Sequence, residues 1–227
     1  MTVIDSLLFI LLAAIWGSSF IFMRSLAPIL GPVVTALVRT LVAGIFLTAL
    51  FSTLRTKMDW RKNFRHYLIV GLLNSGIPFV LYSFAATRLP TSIPAIVNAL
   101  TPLWGAVFSA LILADPLTPR KLVGLALGVS GVALIALRGS GLSVPPDPIA
   151  VVACVAATVC YGIAGSYIKR WASSVPSRSI TAASLTFAGI CLIPFALAFP
   201  PPATQIPLSV WSIAAAFSLL CSALAYL

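Results

Sequence analysis

The sequence predicts an all-α integral membrane protein, a polytopic helical bundle. Three observations predict it. Of 227 residues, 60% are hydrophobic and 8% are charged, against about 25% charged in an ordinary soluble domain. The mean hydropathy is +1.11. The few charges cut the chain into apolar runs close to the ~20 residues that cross a hydrocarbon core of ~30 Å. A water-facing surface cannot be built from so few charges, so most of the chain must face lipid or other helices. The runs are continuous and do not alternate, which favours helices over a transmembrane barrel.

Eight spans follow in order. Ser6–Met23 lies between Asp5 and Arg24. No Lys or Arg precedes it, so it lacks the basic n-region of a signal peptide and reads as an uncleaved helix. Val33–Leu54 is interrupted only by Arg39. Then come Tyr67–Thr87, Leu89–Ala114 and Leu122–Leu137, the last short but flanked by Lys121 and Arg138, which can snorkel. Pro148–Ile168, Ser179–Phe199 and Leu208–Leu227 complete the set. The Pro-containing stretches Leu142–Pro148 and Pro200–Pro207 read as rigid connections rather than domain boundaries.

The net charge of +10 would suggest nucleic acid on a soluble protein, but its distribution speaks for topology. One alternating set of connections holds Arg55, Lys57, Arg61, Lys62, Arg65, Arg120, Lys121, Lys169, Arg170 and Arg178; the other holds Arg24, Arg88 and Arg138. Cytoplasmic loops carry the Lys/Arg excess. The expectation is therefore a multi-pass protein of the cell (inner or plasma) membrane with a cytoplasmic N-terminus, whose partners are the lipid bilayer and a small molecule, with no nucleic acid. A homo-oligomer stays open.

An offset of 145 residues reveals an internal repeat. Trp16-Gly17 falls on Tyr161-Gly162, Phe22 on Tyr167 and Arg24 on Lys169. Ala43-Gly44-Ile45-Phe46-Leu47 falls on Ala188-Gly189-Ile190-Cys191-Leu192. With a one-residue slip, Tyr82 falls on Tyr226. Spans 6, 7 and 8 thus repeat spans 1, 2 and 3. The unit has five spans, an odd number, so the copies are inverted, a design that recurs in transporters with substrate bound at the repeat interface. The expected organisation is a first repeat over residues 1–138 (helices 1–5) and an incomplete second repeat over 148–227 (helices 6–8), an inverted 5+5 arrangement of which 5+3 helices are present. Extending the offset past Arg138 leads to the expectation of a complete protein of about 280 residues, of which this chain is a fragment or a truncated product.

Span 1 carries Ala14-Ile15-Trp16-Gly17-Ser18-Ser19-Phe20, span 2 Pro32 with Arg39 and Ala43, and span 4 Leu100-Thr101-Pro102-Leu103; the turn Asp115-Pro116-Leu117-Thr118-Pro119, with Gly124 and Gly131 after it, adds to them. In these residues the chain resembles the EamA-type permeases of the drug/metabolite transporter superfamily. The family usually has Gly-Glu where this chain has Ala114-Asp115; the change keeps the charge and shortens the reach. The resemblance covers the whole chain. It implies ten helices with both termini cytoplasmic, and transport of amino acids, metabolites or drugs.

Arg39 is the only charge well inside a span, and a mid-membrane Arg costs at least about 2.5–3.5 kcal/mol. It reads either as a counter-charge for an anionic or zwitterionic substrate, or as a structural Arg bonded to carbonyls or snorkelling outward. Asn74, Pro78 and Tyr82 share one face of span 3, and Pro94, Asn98 and Pro102 one face of span 4, with Thr101 beside Asn98. Polar side chains in lipid need partners, so these faces should point inward, toward a substrate pathway or as interhelical glue. Trp16 and Tyr161, matched across the repeat, either flank a central cavity or pack as ordinary aromatics. Gly124, Gly128 and Gly131 read as a helix-packing face. Trp60 and His66 fall in the basic loop before span 3.

Cys154, Cys160, Cys191 and Cys221 sit within spans without CxxC spacing, so no metal site, disulfide framework or cofactor is expected. Four Asp, no Glu and one His in unrelated places do not make an acid/base cluster, which argues against a membrane enzyme and gives no catalytic residues. Small multidrug transporters exchange protons through a membrane carboxylate. No span here has one, so any proton coupling within residues 1–227 must not use a buried acid. The expected function is a permease or exporter of small polar metabolites, amino-acid-like or drug-like, by alternating access. The alternative is an inactive fragment or membrane scaffold lacking the last two helices.

Overall fold

The computed structural model describes residues 3–138, 146–202 and 205–226. Most of the expected Leu142–Pro148 connection, part of Pro200–Pro207, the last residue of span 8 and the Arg138 side chain lie outside the described residues. Ten α-helices run in order: α1 Val3–Leu30, α2 Pro32–Thr53, α3 Trp60–Gly71, α4 Ile77–Arg88, α5 Ser92–Asn98, α6 Thr101–Leu113, α7 Pro119–Arg138, α8 Pro148–Trp171, α9 Ser177–Ala198 and α10 Leu208–Ser218. The described residues contain no strand. Seven segments among them are long and apolar enough to cross a membrane. The remaining expected span corresponds to α7, a 20-residue helix whose side chains are described only in part.

Proline sets several helix starts. Pro32, Pro119 and Pro148 open α2, α7 and α8, and Pro78 and Pro102 follow at the second residue of α4 and α6. For Pro32, Pro102, Pro119 and Pro148 the missing N–H costs nothing, because the first turn has no intrahelical acceptor for it; Pro78 instead follows directly on a π-helical turn.

Four boundaries differ from the sequence expectation, each for a physical reason. Helix α1 continues past Arg24 to Leu30, because the Arg24 guanidinium donates to the Ala86 carbonyl on α4 at 2.6 Å and is thereby satisfied. Trp60 and His66 lie on α3 rather than in a loop: the basic residues there form the first turns of the helix. Span 3 is therefore α3 and α4 joined by a π-helical turn, Leu72–Gly76. Span 4 is two helices, α5 and α6, with a break at Ala99 and Leu100 between Pro94 and Pro102. Span 8, like span 3, carries a π-helical turn, Leu219–Ala223, here followed by the 3-10 turn Leu224–Tyr226. The two π turns align Leu72-Leu73-Asn74-Ser75-Gly76 with Leu219-Leu220-Cys221-Ser222-Ala223, which sets Tyr226 opposite Phe79 rather than Tyr82.

The core is built on the crossing of α2 and α9, the most extensive helix contact in the molecule. Glycine makes it close. A β-carbon on Gly44 would lie 2.5 Å from the Thr186 backbone nitrogen, and one on Gly189 would lie 2.9 Å from the Leu41 α-carbon. These contacts trade places under the 145-residue offset: Gly44 matches Gly189, and Leu41 matches Thr186. Gly71 on α3 lies equally close to the Ser184 carbonyl on α9, and Gly162 on α8 to the Trp104 backbone on α6. Such approaches add van der Waals contact where no hydrophobic drive separates helix from lipid.

On α7, among the described residues, a β-carbon on Gly124 or Gly131 would meet nothing within 4 Å, and one on Gly128 would reach Leu100 at 3.9 Å. Among the described residues, close packing runs through Gly44, Gly71, Gly162 and Gly189. The outward faces carry apolar side chains, among them Leu7, Ile21, Leu111 and Leu197, as lipid-facing surfaces require.

Candidate functional site

Helices α1, α2, α4, α5, α6 and α8, the break at Ala99, the π-helical turn of span 3 and the 3-10 turn Leu224–Tyr226 surround a cavity of about 470 Å³. The seven candidates from the sequence all line it: Trp16, Arg39, Asn74, Tyr82, Asn98, Thr101 and Tyr161. The cavity also takes in Pro102, which shares the inward face of span 4 with Asn98, and Ser19, Phe20, Met23, Phe79, Ala99 and Tyr226, which the sequence did not mark as pathway residues. Phe20, Met23 and Phe79 are apolar positions on apolar helices and give no contrast to read. Tyr226 had a signal, its repeat match, but was set against the wrong partner.

Arg39 is the electrostatic centre of the site. It is 5% exposed. Its Nε donates to the Ser222 hydroxyl at 3.0 Å, and one terminal nitrogen faces the Met23 sulfur at 3.9 Å. The guanidinium lies 3.7 Å over the Phe79 ring and 4.8 Å from the Phe217 ring. It meets no carboxylate among the described residues. Five N–H donors therefore face one hydroxyl, one thioether and two ring faces, which hold the cation by cation–π attraction without neutralising it. A buried charge of this kind is stable when a partner arrives or when water reaches it through the cavity.

The opposite wall is polar and ordered. The Tyr82 hydroxyl donates to Asn98 Oδ1 at 3.0 Å, and the Thr101 hydroxyl donates to the same oxygen at 3.3 Å. With its oxygen occupied by two donors, Asn98 presents its amide N–H groups as its remaining polar function. Asn74, on the π turn of span 3, lines the same cavity as Tyr226. The π turn and the α5–α6 break carry these two Asn residues into the cavity, and both irregularities lie at prolines: Pro78 follows the π turn, and Pro94 and Pro102 flank the break. Irregular backbone at membrane depth is tolerated where it lines a cavity.

Aromatic rings close the sides. Phe20 meets Tyr82 edge-on at 5.3 Å, Tyr82 stacks on Tyr161 at 6.3 Å, and Trp16 meets Tyr226 edge-on at 6.4 Å. The arrangement offers one fixed positive charge, amide and hydroxyl groups, and ring faces, within a volume suited to a small molecule. Among the described residues no three His, Cys, Asp or Glu side chains come together to hold a metal ion.

The ends of the bundle are pinned by two exposed ion pairs on α8. At its start, Asp147 accepts from the Ile149 backbone N–H at 2.9 Å and pairs with Arg88 at 2.8 Å. At its far end, Lys169 pairs with Asp115 at 3.2 Å, and Ser109 donates to the same carboxylate at 2.7 Å. The Ser109 and Lys169 hydrogen bonds hold the Asp115 carboxyl below its ordinary 3.8, and the Arg88 hydrogen bond does the same for Asp147. The departure from Gly-Glu noted above has a structural cost: Ala114 caps α6 with φ +56°, the left-handed region that favours glycine.

Residues 4–137 match the EamA-like transporter family. The chain is 28% identical to Protein PecM of Dickeya dadantii (strain 3937), over 82% of this chain and 61% of that protein. It is 27% identical to the uncharacterized transporter YvbV of Bacillus subtilis (strain 168), over 83% of this chain and 61% of that protein. The chain thus spans about three fifths of the length of these curated relatives. A solved crystal structure shares the fold with a TM-score of 0.63 at 20% identity, covering 97% of this chain and 75% of the other.

Proposed function

Because the chain belongs to the EamA-like transporter family, we propose that it serves as a permease or exporter of small polar metabolites that carry a carboxylate, amino-acid-like in size. The observation that carries this reading is Arg39, a buried guanidinium with no acidic partner, facing a cavity of about 470 Å³. A substrate carboxylate would supply the missing counter-charge, the Asn98 amide and Tyr161 would bind its polar remainder, and the aromatic rings its side chain. Cationic drugs are disfavoured by the same charge.

Alternating access is the proposed mechanism. It is supported by the sequence match between residues 1–138 and 148–227, in which an odd five-span unit would invert the second copy, and by the reciprocal contacts of the matched Gly44 and Gly189 at the α2–α9 crossing. The broken span 4 and the π turns supply places where backbone can bend around a bound molecule. The proposed orientation puts the N-terminus in the cytoplasm, on the strength of the basic residues concentrated in one alternating set of connections.

The test is uptake and efflux of labelled amino acids in proteoliposomes holding the full chain. Arg39→Ala should lower transport about ten- to a hundredfold, the worth of a charged hydrogen bond, with Arg39→Lys in between. Full transport by a folded Arg39→Ala protein would sink the counter-charge role. A second reading, a membrane scaffold without transport activity, draws on α6, none of whose residues is buried. Correctly inserted, folded chain that moves no amino acid would favour it.

A further inference from the structure

A second concave site lies away from the cavity, where the start of α3 meets the end of α8. Lys62, Arg65, His66 and Ile69 recur at helical spacing and so share one side of α3. Tyr167 and Trp171, one turn apart, come from α8. With Leu68 they line a groove of about 500 Å³. His66 Nδ1 and the Tyr167 hydroxyl lie 3.0 Å apart, and the Tyr167 and Trp171 rings are 5.2 Å apart, so the aromatic wall is held in place. Trp171 is 50% exposed.

The groove is graded along the helix. Its outer end carries Lys62 and Arg65, neither of which meets a carboxylate among the described residues. Asp115, the acid near the end of α8, is engaged by Lys169 and Ser109, and no acid lines the groove. Its middle carries the Tyr167 and Trp171 rings and its inner end Leu68 and Ile69. From Lys62 to Ile69 the helix rises about 10 Å, which is the order cation, amphipathic ring, aliphatic chain expected from headgroup level to the acyl region.

We propose that this groove seats one anionic glycerophospholipid. Its phosphodiester accepts from Lys62 and Arg65, its glycerol region lies against Tyr167 and Trp171, and an acyl chain runs over Leu68 and Ile69. The apolar inner end assigns the seat to a lipid rather than a free phosphate, which would leave that surface unfilled.

Full-length protein in mild detergent, titrated with phosphatidylglycerol or phosphatidylcholine of matched chains and read by native mass spectrometry, tests the seat. One phosphatidylglycerol should be retained about tenfold or more tightly than phosphatidylcholine, since each basic residue contributes about a fivefold preference. The double variant K62Q/R65Q should bring the two lipids within about twofold. R61Q/R170Q, neutral by the same amount but outside the groove, should keep the preference. Equal retention of both lipids by the unaltered protein overturns the proposal, as does an unchanged preference in K62Q/R65Q or an equal loss in both double variants. Release of the lipid by millimolar inorganic phosphate would assign the seat to a free anion and also overturn it. If K62Q/R65Q does not purify as a single species, brominated-chain phosphatidylglycerol decides: it should quench Trp171, and the quenching should fall in Trp171→Phe, whereas identical quenching in both excludes the groove.

Discussion

The α2–α9 crossing and the α4–α5–α6 wall of the cavity are built from equally apolar sequence, yet they behave as opposites. The crossing joins two uninterrupted 22-residue helices whose backbones touch through Gly44 and Gly189. The wall is broken: a π turn precedes α4, and span 4 divides between Asn98 and Thr101. Where backbone meets backbone there is no room for a ligand, and the Thr48 and Thr186 hydroxyls there engage each other at 3.2 Å. Where the helix breaks, prolines and Asn residues turn polar atoms toward a cavity. The lesson is that helix continuity, not composition, divides frame from site.

The largest expected effect lies in the frame. Gly44→Ala or Gly189→Ala forces a β-carbon into neighbouring backbone and should cost about 2–3 kcal/mol, measured by unfolding in SDS–bicelle mixtures. Gly124→Ala, with open space around it, should be neutral or stabilising by about 0.5 kcal/mol. Equal effects at the two places would break the comparison.

The wall gives smaller changes. Ala114→Gly relieves the left-handed strain at the end of α6 and should stabilise by about 1 kcal/mol. Asn98→Ala removes the shared acceptor of Tyr82 and Thr101; membrane hydrogen bonds average about 0.6 kcal/mol, so stability should fall by about that amount while transport falls further. A loss of stability with transport intact would make Asn98 glue between helices and nothing more.

The smallest effect is acid sensitivity. The folded carboxyls of Asp115 and Asp147 sit below their ordinary 3.8. Their contribution is therefore present above about pH 4 and lost as pH falls through the folded values. Both are exposed pairs and screened by salt. Hydrogen exchange at decreasing pH should loosen the ends of α6 and α8 first, with the α2–α9 crossing, which holds no acid, unchanged.

Much of the frame was legible because lipid demands continuous apolar runs and charge marks their ends. Arg39 was legible for the same reason: a charge inside such a run stands out. Asn74, Tyr82, Asn98 and Thr101 could be grouped because polar residues in an apolar helix show their spacing. The reverse explains what was missed. Phe20 and Phe79 line the cavity through geometry alone. Arg24 looked like a helix end because its carbonyl partner, Ala86, is distant in sequence. The glycines that matter, Gly44 and Gly189, were read as repeat markers, while the spacing of Gly124, Gly128 and Gly131 was read as a packing face.

Arg39 has an electrical consequence. It is a fixed unit charge held within the bundle by Ser222, Phe79 and Phe217, and the four acids of the chain, Asp5, Asp59, Asp115 and Asp147, lie at or beyond the helix ends. If the bundle rocks about a stationary Arg39, the charge that crosses the membrane is the substrate's own. Moving one elementary charge through 100 mV is worth about 2.3 kcal/mol, so a monovalent anion leaving a negative cell interior is driven outward by that amount, and a zwitterion is not driven at all. The current that accompanies transport then counts the net charge of whatever Arg39 holds.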